Sequence, residues 1–250
     1  MTEQTVRIAV LVSGGGTNLT ALLRDGNPSG DVVLVVSSKP DAHALDIARA
    51  HGVETVVVDG KQAGFAGHLL DVLRDHRIDL VVLAGYLVIL PPEVVAAYPR
   101  RIINVHPALL PSFGGPGFYG LRVHEAVLGR GVKVTGATVH FVDDLPDHGE
   151  IIAQKAVDVL PGDTPATLQR RVMEQAEWVL LPQVVRDLCE NVILRNAGPQ
   201  SVETRSCDDF PSSCGTQDPF DSPTMQPQTL GGSRVLPDPA FGRMTGKAAG

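Results

Sequence analysis

This sequence predicts an α/β protein: a doubly wound, mostly parallel sheet with antiparallel strands in its second half, followed by a disordered C-terminal tail. Three observations predict it. Short β-branched runs, apolar on both faces, alternate with stretches of helical periodicity through the first hundred residues. Beyond residue 130 the apolar runs alternate with polar residues, as half-buried antiparallel strands do. From residue 196 both periodicities vanish.

Residues 6–12 (VRIAVLV) form a first strand, and the glycine-rich turn after it opens a helix over 17–25. A second strand at 32–37 (VVLVVS) leads to a helix over 42–52, with Asp41 placed to cap it. A third strand at 54–58, a helix at 66–76, and strands at 79–84 and 101–105 complete a parallel half, about 1–106. In the mixed half, about 107–194, residues 132–142 and 150–159 pair as antiparallel strands. A long helix runs from about Thr164 to Cys189, with Asp163 or Thr164 as its cap. Residues 1–194 read as one domain and 195–250 as the tail. In 196–250, 20 of 55 residues are Pro, Gly or Ser, too little apolar surface to offset the entropy of ordering.

The totals exclude several classes. At 250 residues and a formal charge of -7, the chain has no basic excess with which to displace phosphate counterions, so nucleic acid is not an expected partner. No apolar run approaches the roughly 20 residues of a membrane helix. The N-terminus carries acid early and enters a strand at once, unlike a signal peptide. Cys189, Cys207 and Cys214 are odd in number and lack metal-ligand spacing, which suits a reduced cytoplasm; the expected assembly is a monomer or homodimer.

Two clusters carry chemistry. Ser13-Gly14-Gly15-Gly16-Thr17-Asn18 lies between the first strand and its helix, where backbone N–H groups and the helix dipole favour an anion. A dinucleotide fingerprint would need a glycine at Leu19 and an acid where Ser37-Ser38-Lys39 stands, so a single phosphate monoester fits better than NAD. The second cluster begins with Asn104 and His106, two apart at the end of a strand and therefore pointing the same way. Pro107 stops that strand and Pro111 restrains the loop beyond it. Asp143, Asp144 and Asp147 come after a later strand, and one of them near His106 would favour the imidazolium.

Asn104-Val105-His106-Pro107-Ala108-Leu109-Leu110-Pro111, the Ser13–Asn18 loop, Ala84-Gly85-Tyr86 and Thr138-Val139-His140-Phe141-Val142 together resemble the phosphoribosylglycinamide formyltransferases, folate-dependent enzymes of purine synthesis. The likeness runs from about residue 6 to about 190, in the family's order. It implies formyl transfer from 10-formyltetrahydrofolate to the amine of glycinamide ribonucleotide, with no metal. It implies further that Asn104, His106 and Asp147 are catalytic, Asp147 being two before the Gly of the Asp-x-Gly turn. Gly16, Thr17 and Asn18 would take the substrate phosphate, and Glu174 and Glu177 its ribose and glycinamide. The pterin would lie against Leu87, Val88, Ile89 and Leu90, Asn104, and the loop of Asp143 and Asp144. A solvated helix face is the plainer reading of the two glutamates.

Some positions depart from the family's pattern. Val88 stands where a basic residue is usual, Gln62 where another often precedes the third helix, Trp178 for a His, and Glu150 for a Pro. Gly114–Gly120 reads as a lid or as a plain loop. Two related activities fit less well. A methionyl-tRNA formyltransferase would carry a basic C-terminal domain, whereas residues 196–250 hold 4 basic and 6 acidic side chains. A formyltetrahydrofolate deformylase would carry an N-terminal regulatory domain, whereas this sheet begins at residue 6. A non-catalytic nucleotide sensor is the rival from another class, and the intact Asn-His-Asp set speaks against it.

Overall fold

Successive residues of the first strand, β1 (Val6–Val12), enter two different cores. Val6, Ile8, Val10 and Val12 face one side of a sheet and Ala9 and Leu11 the other, the period of two expected of a strand covered on both faces. The structure is a computed structural model that describes residues 5–27 and 29–196, with side chains through Asn191. The tail expected at 195–250 lies outside the described residues except for its first two.

After β1 the chain forms α1 (Thr17–Asp25), β2 (Gly30–Ser37), α2 (His43–Ala50), β3 (Glu54–Val57), α3 (Phe65–Asp75), β4 (Leu80–Leu83), α4 (Pro92–Ala97), β5 (Ile102–His106), α5 (Leu121–Arg130), β6 (Val134–Phe141), β7 (Ile151–Asp158), α6 (Pro165–Val172) and α7 (Trp178–Asn196). The strand order is β3-β2-β1-β4-β5-β6-β7. The pairings from β3 to β5 are parallel; β5–β6 and β6–β7 are antiparallel. This is the mixed α/β sheet that the alternation of runs predicts.

Helices cover both faces. Leu19, Leu22, Ala44, Leu45, Val127, Leu168 and Leu181 pack on one, and Phe65, Leu69, Leu73 and Val94 on the other. Each Leu, Val or Phe side chain among these stabilises by roughly 1.5–3 kcal/mol when taken from water, the main force holding the layers.

Helix ends and lengths needed correcting. Asp41 does not cap α2; Ala42 occupies that position with no side-chain bond. Thr164 does cap α6, in a capping box with Thr167. The helix expected over 164–189 is interrupted by a π turn at Met173–Glu177 and then continues to Asn196, two residues past the expected domain boundary. Helices α4 and α5 were not anticipated. Pro92 at the start of α4 and glycines at 120 and 131, flanking α5, were the available signals.

Candidate active site

The sheet order reverses between β1 and β4, so the loops that leave their carboxyl ends diverge and open a crevice, where open α/β sheets bind ligands. A cleft of about 820 Å³ lies there. Gly14 to Asn18 and Ala84 to Leu90 line it from β1 and β4, Asn104 and His106 from β5, and Val142 to Asp147 from the loop after β6.

The glycine loop forms the first end. Gly16 has a φ of 76°, and a Cβ there would lie 2.9 Å from the Ala44 backbone, so this position requires glycine twice over. The Ala44 N–H donates to the Gly14 carbonyl at 3.0 Å, pinning the loop to α2. Gly14 and Gly15 have open space around them, toward the cleft. No side chain caps the N-terminus of α1, and its first turn carries no acid. Its free N–H groups and dipole therefore face the cleft as a site suited to an anion. Ser13 couples this loop to the next, exchanging a hydrogen bond with Ser38 at 2.7 Å and accepting from the Leu87 N–H at 2.9 Å.

The segment of Leu87 to Leu90 forms an apolar wall. Leu87 and Ile89 are exposed at the mouth, Leu90 is buried, and the Val88 side chain packs onto Gly60. At the position where a basic residue was the expectation, the Val88 side chain thus completes a hydrophobic contact.

Asn104, His106 and Asp147 meet at the second end. His106 Nδ1 lies 3.3 Å from Asp147 Oδ2, a direct pairing. Asn104 Nδ2 donates to Asp147 Oδ1 at 3.2 Å, and the Gly115 N–H donates to Oδ2 at 2.9 Å. Burial alone would push the Asp147 carboxyl up, but the neighbouring His106 and His140 rings and the Gly115 N–H outweigh it and hold it well below the usual carboxylate range. Asp147 has a φ of 55°, a left-handed conformation uncommon for a non-glycine residue. His106 is buried, and its Nε2 donates to the Phe113 carbonyl at 2.8 Å. Both ring nitrogens therefore face acceptor oxygens.

The support beneath is hydrogen-bonded. Thr138 donates to the Ala108 carbonyl at 2.7 Å and accepts from the Leu110 N–H at 3.0 Å, while Gln154 donates to the Leu110 carbonyl at 2.9 Å. These bonds hold the Pro107–Pro111 segment against β6 and β7.

The two glutamates separate. Glu177 is buried in the cleft wall, where Asn18 Nδ2 donates to it at 2.6 Å. Burial raises its carboxyl above the usual range, opposed by the Asn18 bond and the charge of His106. Glu174 points outward and pairs with Arg170 at 2.7 Å, away from the cleft. The expectation that both face one ligand fails at the π turn. There the Trp178 N–H reaches the Met173 carbonyl, and with one more residue in the turn each step advances less than the roughly 100° of an α-helix. Asp143 and Asp144 do line the cleft, Asp144 exposed and Asp143 hydrogen-bonded within its own loop.

Two histidines were missed. His140 pairs with Asn104 across β5 and β6, and its Nε2 lies 3.1 Å from Asn104 Nδ2. The alternation Thr138-Val139-His140 carried that signal, since it turns Thr138 and His140 to one face. His124 is wholly buried with neither ring nitrogen hydrogen-bonded, and burial and the nearby His106 depress it to about 4, so it is neutral. Among the described residues no group of three His, Cys, Asp or Glu side chains is placed to hold a metal.

Known proteins share this architecture. The formyl transferase family matches residues 6–185. A chloroplastic phosphoribosylglycinamide formyltransferase from Arabidopsis thaliana is 45% identical over 198 residues, covering 75% of this chain and 66% of that protein. Its counterpart from Bacillus subtilis is 35% identical over 189 residues, covering 73% of this chain and 94% of that one. The crystal structure of phosphoribosylglycinamide formyltransferase from Anaplasma phagocytophilum superimposes with a TM-score of 0.70 at 40% identity, covering 75% of this chain and 89% of that one. The chain thus belongs to the formyl transferase family, with the phosphoribosylglycinamide formyltransferases.

Proposed function

We propose that this enzyme transfers the formyl group of 10-formyltetrahydrofolate directly to the glycinamide amine of 5'-phosphoribosylglycinamide, in cytoplasmic purine synthesis, using protein side chains and no metal. The observation that carries this reading is the meeting of Asn104, His106 and Asp147 in a cleft whose other end is suited to an anion. The ribonucleotide phosphate would take the N–H groups at Gly16, Thr17 and Asn18, with Glu177 beyond them accepting from the sugar or the glycinamide. The pterin would lie between Leu87–Leu90 and the loop of Asp143 and Asp144, and buried, free Cys189 suits a reducing compartment.

The amine attacks the formyl carbon; the new C–N bond forms as the carbonyl oxygen gathers negative charge. Asn104 donates to that oxygen, and His106 gives its Nε2 proton to the folate nitrogen as the old C–N bond breaks. The surplus proton of the attacking amine passes to the vacated Nε2 of His106 and restores it, so no net proton is gained or lost. Asp147, held ionised, orients the imidazole through their direct contact.

In this structure the same donors are internally satisfied. Asn104 Nδ2 faces Asp147 and His140, and His106 Nε2 faces the Phe113 carbonyl. Substrates must therefore exchange with these bonds, which tighten onto ligand only in the complex. The test mixes purified protein with 10-formyltetrahydrofolate and glycinamide ribonucleotide. Formylated ribonucleotide should appear in step with folate loss; free formate without it would mark a deformylase and overturn the reading.

A further inference from the structure

The loop that carries Asp147 is held at its base and through the Asp147 carboxylate, with few other ties along its length. Its base is fixed where the Val142 N–H meets the Ile102 carbonyl and the Phe141 N–H meets that of Glu150. Gly149 presses onto the Phe141 carbonyl so closely that a Cβ would sit 1.9 Å from it. Between these anchors Asp144 and Leu145 are exposed, and no buried aliphatic side chain ties the loop down. Among the described residues, the Asp147 carboxylate bonds outward to Asn104 and Gly115, and the side-chain bonds internal to the loop are those of Asp143. Asp143 Oδ1 accepts from the Leu145 N–H at 2.9 Å, and Oδ2 pairs with His148 Nδ1 at 2.7 Å. The carboxyl of Asp143 lies below its ordinary range; burial opposes this, and the His148 and Leu145 bonds outweigh it.

We infer that His148 is a positioning residue: through Asp143 it closes the loop into a clip that keeps Asp147 in the left-handed conformation its contacts with Asn104 and His106 require. The inference rests on the catalytic reading of Asp147 but assigns His148 and the Asp143 side chain a role that reading did not contain. Asp143 lines the cleft, yet both of its oxygens are engaged by its own loop rather than turned to a ligand. His148 directly follows Asp147, and its ring ties that end of the loop to Asp143 near its start. Both partners are exposed, so the contact is open to test by substitution without disturbing the core.

The test compares His148→Ala, Asp143→Asn and the double variant with the wild-type chain. Turnover should fall about ten- to a hundredfold in each single variant, the scale of a misplaced catalytic group. The double variant should lose no more than either single one, and the ribonucleotide KM should stay within about twofold. His148→Gln keeps an N–H that can reach Asp143 and should recover most of the turnover. Independently of activity, the Gly115 amide, bonded to Asp147 Oδ2, should lose hydrogen-exchange protection in His148→Ala at an unchanged melting temperature. Normal turnover with a protected Gly115 amide, or single losses that multiply, would overturn the clip. If the wild-type chain transfers no formyl group, the functional reading falls by itself, and the exchange measurement still decides the clip.

Discussion

One end of the cleft is walled by backbone, Gly14 to Thr17 and the open N–H groups of α1; the other is built from three side chains on a strand and a loop. The backbone end is fixed by packing, since Gly16 lies against Ala44 and Gly14 is bonded to it. The side-chain end is fixed by charge and hydrogen bonds converging on one carboxylate. Each end is therefore vulnerable in its own way. On the proposed function, a side chain added to the first should weaken binding, and a side chain removed from the second should slow chemistry while leaving binding largely intact.

The largest effect should come from removal of the Asp147 charge. Asp147→Asn should lower turnover by roughly two to four orders, with a ribonucleotide KM within about threefold. A comparable rise in KM would erase the division between the ends. The same variant has a stability signature. Because the folded carboxyl lies below its unfolded value, its stabilisation is complete above about pH 4 and is lost as pH falls through the folded value. Acid unfolding curves of wild type and variant should therefore converge at low pH.

At the backbone end, Gly16→Ala should destabilise by about 1–3 kcal/mol, from a strained φ and a clash with Ala44. It should raise the ribonucleotide KM and leave saturated turnover within a few-fold, as steady-state kinetics and melting would show. Glu177→Gln probes the same end through its buried acid. Loss of a charged acceptor should raise the ribonucleotide KM about tenfold, whereas melting should hold or rise because burial penalises the carboxylate. The folded value is raised, so Glu177 costs stability above its unfolded value near pH 4.3, and the variant's advantage should shrink as pH falls through the raised value. Glu174→Gln should change neither quantity by more than about twofold. The smallest effect is expected for Val88→Arg, a change of about threefold or less in folate KM, since that side chain rests on Gly60.

The two ends were unequally legible. Strand periodicity placed β1 and β5 closely enough that the glycine loop, Asn104 and His106 could be assigned to carboxyl ends. Nothing in spacing chose among Asp143, Asp144 and Asp147; only the resemblance did, because the choice depends on a left-handed turn that composition does not encode. Glu174 misled because a π turn keeps the same apolar pattern as an α-helix until its extra residue is counted. His140 was readable from strand alternation once β6 was paired with β5, a long-range fact that local sequence does not contain. His124 had no local signal, because its helix was itself overlooked.

His106 as the proton donor is the claim on which the side-chain end stands. The most direct measurement is a single turnover with label in the formyl carbon, run on wild-type protein and His106→Asn at saturating ribonucleotide. Label should reach the ribonucleotide with wild type, and the same product should form roughly two to four orders more slowly with the variant. Transfer by the variant at the wild-type rate would contradict His106 as the donor.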